Sequence, residues 1–168
     1  MIRPTRPDDT PALLEIARST GVFKLAEIVA LREVLDDHHA GTASTGHRCM
    51  TSGRDGKIVG FAYSAPASMT DRTWYLYWIA VDPGVQSRGL GGELLREAEE
   101  SARSADGRLM LIETSSLPHY EPTRRFYLRQ GYLQECAIRD FYADGDDMIV
   151  FAKRLDDNAP GDTPRPGR

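Results

Sequence analysis

Four glycines fall within nine residues, Gly84, Gly89, Gly91 and Gly92, between the aromatic run "WYLYWIA" and a charged segment of helical period. Glycine loses more backbone entropy on folding than any other residue, so such a cluster marks a sharp turn or a backbone that comes very close to a ligand. A helix beginning directly after a strand turns unpaired N–H groups and a partial positive charge outward, which suits a phosphate. Three phosphate-binding patterns can be compared. Gly84 and Gly89 have the glycine spacing of a P-loop, but Leu90 and Gly91 stand where that loop needs lysine and serine or threonine. Gly89 and Gly91 begin a dinucleotide fingerprint whose third glycine is replaced by Leu94. The pattern Gln/Arg-x-x-Gly-x-Gly/Ala is filled completely, by Gln86, Ser87, Arg88, Gly89, Leu90 and Gly91, with Gly92 following. The plain alternative is a strand-to-helix turn that needs only positive φ angles.

The elements around this loop follow from hydrophobic period and turn chemistry. "MIR" reads as an edge strand. Asp8, Asp9 and Thr10 are N-cap candidates for a helix with Pro11 in its first turn and Leu13, Leu14 and Ala17 on its apolar stripe. A second helix carries Leu25, Ile28, Leu31 and Leu35 at spacings of three and four. "HRCMTS", "KIVGFAYSA" and "TWYLYWIAV" read as strands, the first two joined by a turn over Gly53-Arg54-Asp55-Gly56. After the glycine loop, Leu94, Leu95, Ala98 and Ala102 form a buried helix face. Glu93, Arg96, Glu97, Glu99, Glu100 and Arg103 cover the solvated remainder. "RLMLIETS" is a strand, "EPTRRFYLRQG" a short helix stopped by Gly131, and "YLQECAI" with "DMIVFAKRL" an antiparallel pair. The prediction is one mixed α/β domain over residues 1–155 and a disordered tail over 156–168.

The loop pattern, together with "RRFYLRQGY" and the opening "MIRPTRPDDTPALLEIA", resembles the GCN5-related N-acetyltransferase (GNAT) family, and the similarity spans residues 1 to about 155. The resemblance implies a mostly antiparallel sheet of six to seven strands flanked by about four helices, splayed between the fourth and fifth strands. It implies that Gln86, Ser87, Arg88, Gly89, Leu90, Gly91 and Gly92 hold the pyrophosphate of acetyl-CoA, and that Ile79, Ala80 and Val81 line the pantetheine arm. It also implies that Tyr127 protonates the departing thiolate. Without the resemblance, Tyr127 reads as a core aromatic on an amphipathic helix. Many members carry an asparagine seven residues before that tyrosine, and here the place holds Tyr120, leaving His119, Tyr120 and Glu121 without an assigned role.

The implied reaction is acetyl transfer from acetyl-CoA to a primary amine by direct attack. The alternative is a non-catalytic acetyl-CoA-binding sensor or interaction module. A protonated amine cannot attack a thioester, so a base must take its proton. Glu113, polar within an apolar strand, is the first candidate and Glu27 the second, each against the reading of an ion-paired or solvated carboxylate. His38, His39, His47 and His119 lack metal-ligand spacing, and most of them are expected at the surface or in loops; no metal is predicted. Tyr63, Trp74, Tyr75, Tyr77 and Trp78 alternate along strands, some toward the core and others toward an acceptor cleft. Arg88, Arg124 and Arg129 are candidates for phosphate contacts.

Composition sets the outer limits. A net charge of −4 argues against an extended nucleic-acid surface. No apolar run approaches membrane-spanning length, and the first ten residues lack the apolar centre of a signal peptide. Cys49 and Cys136 are expected as buried, reduced thiols, which fits a reducing cytoplasm. The acceptor stays open among small amines, amino acids, antibiotics and protein N-termini, and the late strands are a candidate homodimer interface.

Overall fold

The structure, a computed structural model, describes residues 1–85 and 89–156. Seven strands form one sheet: β1 (Ile2–Pro4), β2 (Arg48–Arg54), β3 (Lys57–Pro66), β4 (Thr73–Val81), β5 (Leu109–Ser115), β6 (Leu133–Ala143) and β7 (Asp146–Arg154). Their spatial order is β1-β2-β3-β4-β5-β7-β6, and every neighbouring pair is antiparallel except β4–β5. Helices α1 (Thr10–Ser19) and α2 (Leu25–Ala40) cover one face, packing Leu13, Leu14, Ile28, Leu31 and Leu35 against Phe61 and Tyr63. Helices α3 (Leu90–Ser104) and α4 (Glu121–Arg129) cover the other, with Leu94, Leu95 and Tyr127 against Trp74, Leu76 and Phe151. No helix among the described residues is long and apolar enough to cross a membrane.

Several local expectations are corrected. The β2–β3 turn is tighter than the sequence suggested. Asp55 (φ 49°) and Gly56 (φ 75°) alone reverse the chain, while Gly53 and Arg54 stay in register with Ile58 and Lys57. Two successive positive φ angles match the right-handed twist of a hairpin. Leu25 heads the apolar stripe of α2 yet is 78% exposed, and a buried place at the stripe's far end goes to His38. Cys49 is buried and its thiol is pushed up to about 12 by that burial, whereas Cys136 on β6 is exposed. Asp9 stands at the N-cap of α1, as expected, but its side chain caps the preceding 3-10 turn Pro7–Asp9 instead of α1. Its carboxylate takes the Arg3 guanidinium at 2.6 and 2.9 Å and the Arg6 amide at 2.8 Å.

Glu99 was expected on the solvated side of α3 and is only 2% exposed. Lys153 Nζ from β7 donates to both of its oxygens, at 2.9 and 3.0 Å, and Arg103 adds a third, longer contact at 3.4 Å. Removing one member of a buried pair leaves the other charge uncompensated, typically costing about 3–5 kcal/mol. Lys153 is 26% exposed and can swing toward water, so Glu99→Ala is expected to destabilise by about 2–3 kcal/mol. Urea unfolding that shows no midpoint shift would remove the pair from the account of stability.

Candidate functional site

The pairing of β4 with β5 stops early. Thr73, Trp74 and Tyr75 lie opposite Leu109, Met110 and Leu111, and no register pair joins the two strands beyond them. From Leu76 onward β4 keeps its ladder with β3, and β5 keeps its ladder with β7. The sheet is therefore open along residues 76–81 of one strand and 112–115 of the other. A β-bulge sits beside this opening, where Tyr63 and Ser64 face Trp78 and Leu76, leaving Tyr77 as the extra residue. A bulge shifts side-chain parity by one. Hence Trp74 and Leu76 enter one core, while Trp78 packs at the edge of the core on the opposite face.

A cavity of about 990 Å³ occupies the opening. Ile79, Ala80, Val81, Gly89, Leu90, Gly91, Gly92, Glu113 and Tyr127, all singled out by sequence, line it together. Gln86, Ser87 and Arg88 lie outside the described residues. At one end stands the N-terminus of α3, with Gly89 as its N-cap at φ 80°, a left-handed conformation that favours glycine. A Cβ added at Gly89 would meet nothing within 4 Å among the described residues outside its chain neighbours. The first intrahelical bond runs from the Glu93 amide to the Gly89 carbonyl at 3.0 Å, which places the amides of Leu90, Gly91 and Gly92 ahead of it, in the anion-attracting turn. A Cβ at Gly91 would touch the Phe126 ring at 3.5 Å and one at Gly92 the Gln130 amide at 3.3 Å, so the bare turn also lets α4 pack closely. Gly84 belongs to a different device, a turn in which its amide donates to Asp82 Oδ1 at 2.8 Å.

Tyr127 is 4% exposed, its ring held between Phe126, Tyr132 and Phe151 at centroid distances of 5.3, 6.0 and 5.7 Å. Among the described residues its hydroxyl has no hydrogen-bond partner, and burial pushes its pKa upward, so the phenol stays protonated at any working pH. Glu113 is exposed toward the cavity on β5. Burial first, and then its negative charge, raises the pKa values of Tyr75 and Tyr77. Arg124 is committed elsewhere. It donates to the carbonyls of Ser115 and Leu117 at 2.7 and 3.0 Å, tying α4 to the end of β5, whereas Arg129 lines the cavity.

The cavity wall also holds Glu27, the second base candidate, and Tyr120, which the sequence left without a role, beside residues that it did not bring forward. Tyr120 reaches across to donate its hydroxyl to the Val22 carbonyl at 3.1 Å, joining the start of α4 to the segment before α2. Its pKa is pushed up to about 12 by burial and by Glu27 and Asp146. Glu27 accepts the Lys24 amide at 2.7 Å, a capping interaction that fixes its carboxylate at the cavity wall. Asp146, Ser115, Phe23 and Tyr142 complete this wall.

Comparison with known proteins agrees with this architecture. The family model for the acetyltransferase (GNAT) family matches residues 12–132. A protein from Desulfovibrio desulfuricans assigned to the GNAT family is 36% identical, with a TM-score of 0.89 over 93% of this chain and 99% of that one. A Salmonella typhimurium protein solved with its cofactor acetyl-CoA superposes with a TM-score of 0.77 at 20% identity, covering 97% and 98% of the two chains. The ribosomal-protein-S18-alanine N-acetyltransferase of Escherichia coli superposes with a TM-score of 0.75 at 19% identity, over 96% and 97%. A search of curated proteins found no match.

Proposed function

The chain belongs to the GNAT family of acetyltransferases, and from that premise we propose that it moves an acetyl group from acetyl-CoA to a primary amine by direct attack. The observation that carries the reading is the coincidence, in one cavity, of the open β4–β5 edge and the glycine-led N-terminus of α3. The residues fit the donor: a thin arm fits between separated strands, and a diphosphate fits the side-chain-free amides that begin α3. Bound there, acetyl-CoA supplies an activated acetyl thioester.

The chain's own residues do the rest. The α3 amides and Gly89 fix the phosphates, and Ile79, Ala80 and Val81 present strand-end backbone to the arm. A backbone N–H there polarises the thioester carbonyl, on whose oxygen negative charge develops. Glu113 stands at the open edge as the group that takes the amine's proton, and Tyr127 returns a proton to sulfur from the opposite wall. Much of the rate comes from holding amine and thioester in reach of one another. The solved relative with acetyl-CoA adds support for the donor. Calorimetry with coenzyme A, NAD and ATP, followed by a panel of amines scored by free-thiol release, tests the proposal. Binding of coenzyme A alone with amine-dependent thiol release is expected; preference for NAD or ATP, or no thiol release with any amine, would reject it.

A further inference from the structure

Asp146 is the most anomalous polar group in the described residues. It is 3% exposed and lines the cavity, and its Oδ2 is buried without a hydrogen-bond partner. Oδ1 is satisfied by the hydroxyl of Ser115, whose own oxygen also accepts the Leu117 amide at 3.1 Å and so has no second proton to offer. The nearest cation to Oδ2 is Lys24 Nζ at 3.8 Å, too far for a hydrogen bond, on a side chain that is 59% exposed. A carboxylate buried with one oxygen unbonded is costly unless a cation meets it. The half-exposed lysine marks the approach but does not complete the contact.

Two more carboxylates face the same space from other elements, Glu27 from α2 and Glu113 from β5. All three bear on the Tyr142 hydroxyl, whose pKa is pushed up to about 12 by burial first and then by Glu113, Asp146 and Glu27. Around them stand Phe23, Tyr75, Tyr77 and Trp78, with ring centroids 5.5 Å apart in the pairs Phe23–Trp78 and Tyr75–Tyr77. Aromatic faces and carboxylates together select alkylammonium groups. Glu113 and Ser115 are two steps apart on β5, about 7 Å along the strand, and share a face, so the proton acceptor and the hydroxyl that holds Asp146 are neighbours along it.

We propose that the acceptor is a linear diamine, whose reacting nitrogen lies at Glu113 while its second ammonium displaces Lys24 and completes the contacts of Asp146. An extended chain of about four or five carbons spans the separation. The inference rests on the amine-acetylating reading of the cavity and adds the acceptor's second charge to it.

Calorimetry on the coenzyme A-loaded protein is the test, with putrescine against butylamine. Putrescine is expected to bind at least tenfold more tightly, because the second ammonium gains a charge-assisted hydrogen bond in a desolvated site. Asp146→Asn should abolish that difference, and Lys24→Met should tighten putrescine severalfold, since no internal ammonium then has to leave. Equal binding of the two amines to the unmodified protein would overturn the proposal, as would a preference that survives Asp146→Asn in a variant with unchanged melting. If that variant does not fold, Lys24→Met decides, and unchanged or weakened putrescine binding there counts against the subsite. Binding is scored without turnover, so the two readings fail separately. Diamine binding that depends on Asp146 without thiol release leaves the subsite standing and removes acetyl transfer. Equal binding and turnover of both amines does the reverse.

Discussion

Gly89→Asp is expected to weaken coenzyme A binding by more than a hundredfold while the folded protein stays as stable as a matched Gly89→Asn variant, or becomes more stable. The position permits this separation because, among the described residues and apart from its chain neighbours, no atom lies within 4 Å of the Cβ that either substitution adds. What both variants share is backbone strain: a φ of 80° costs a non-glycine residue roughly 1–2 kcal/mol, less for asparagine and aspartate than for other side chains. What separates them is charge. A carboxylate at the N-terminus of α3 gains about 0.3–1 kcal/mol from the helix dipole when the site holds no anion. When a diphosphate arrives, the same carboxylate lies within a few ångströms of like charge, a repulsion of about 4 kcal/mol per charge pair near a protein surface. That corresponds to roughly a thousandfold in affinity, well above the strain common to both variants. Thermal melting would therefore rank the variants in one order and calorimetry with coenzyme A in the other. If the aspartate variant binds coenzyme A as well as the asparagine variant, no phosphate sits at this helix end.

That experiment probes the part of the site most legible in the sequence. The glycine pattern, the strand before it and the helix after it are contiguous, and contiguous signals survive because backbone conformation is largely set within a few residues. The same holds for α4, whose first-turn Pro122 and terminal Gly131 (φ 84°) bracket it where expected. Tyr127 lies on that helix, but only the resemblance singled it out from a core aromatic. Asp146 was not legible. It sits in "ADGDD", where aspartates usually signal a turn, and its burial comes from Ser115, 31 residues away. Tyr120 stands out only as a departure from the family pattern, with no role until its hydroxyl is found on Val22, 98 residues earlier. Glu99 shows the same effect in the core. Helical period places it among charged neighbours, and only the return of β7 brings Lys153 beneath it. The bulge at Tyr77 erases another local signal, because strict alternation would have put Trp74 and Trp78 on one face. The acceptor end thus depends on pairings between distant segments, and no single stretch of chain records them.

Tyr127→Phe is expected to lower kcat by about a hundred- to a thousandfold with coenzyme A affinity unchanged, in the range that removal of a positioned acid produces. The substitution deletes one oxygen and keeps the ring, so the packing against Phe126, Tyr132 and Phe151 is retained and melting should move little. No other protein group loses a partner among the described residues, because the hydroxyl makes no hydrogen bond to them. The direction of the pKa shift sharpens the test. Burial raises the phenol, so it remains protonated across the working range and contributes no limb to the pH–rate profile below about pH 10. A thiolate leaving into the same poorly solvated space is raised too, since burial penalises either anion, and this keeps proton transfer from phenol to sulfur within reach. The loss should accordingly be nearly constant from pH 6 to pH 9, unlike the loss of a titrating base. It should also shrink for donors whose thiol is more acidic, because a better leaving group needs less help. A variant that turns over every amine at the original rate while still binding coenzyme A would show that sulfur receives its proton from water or from another residue.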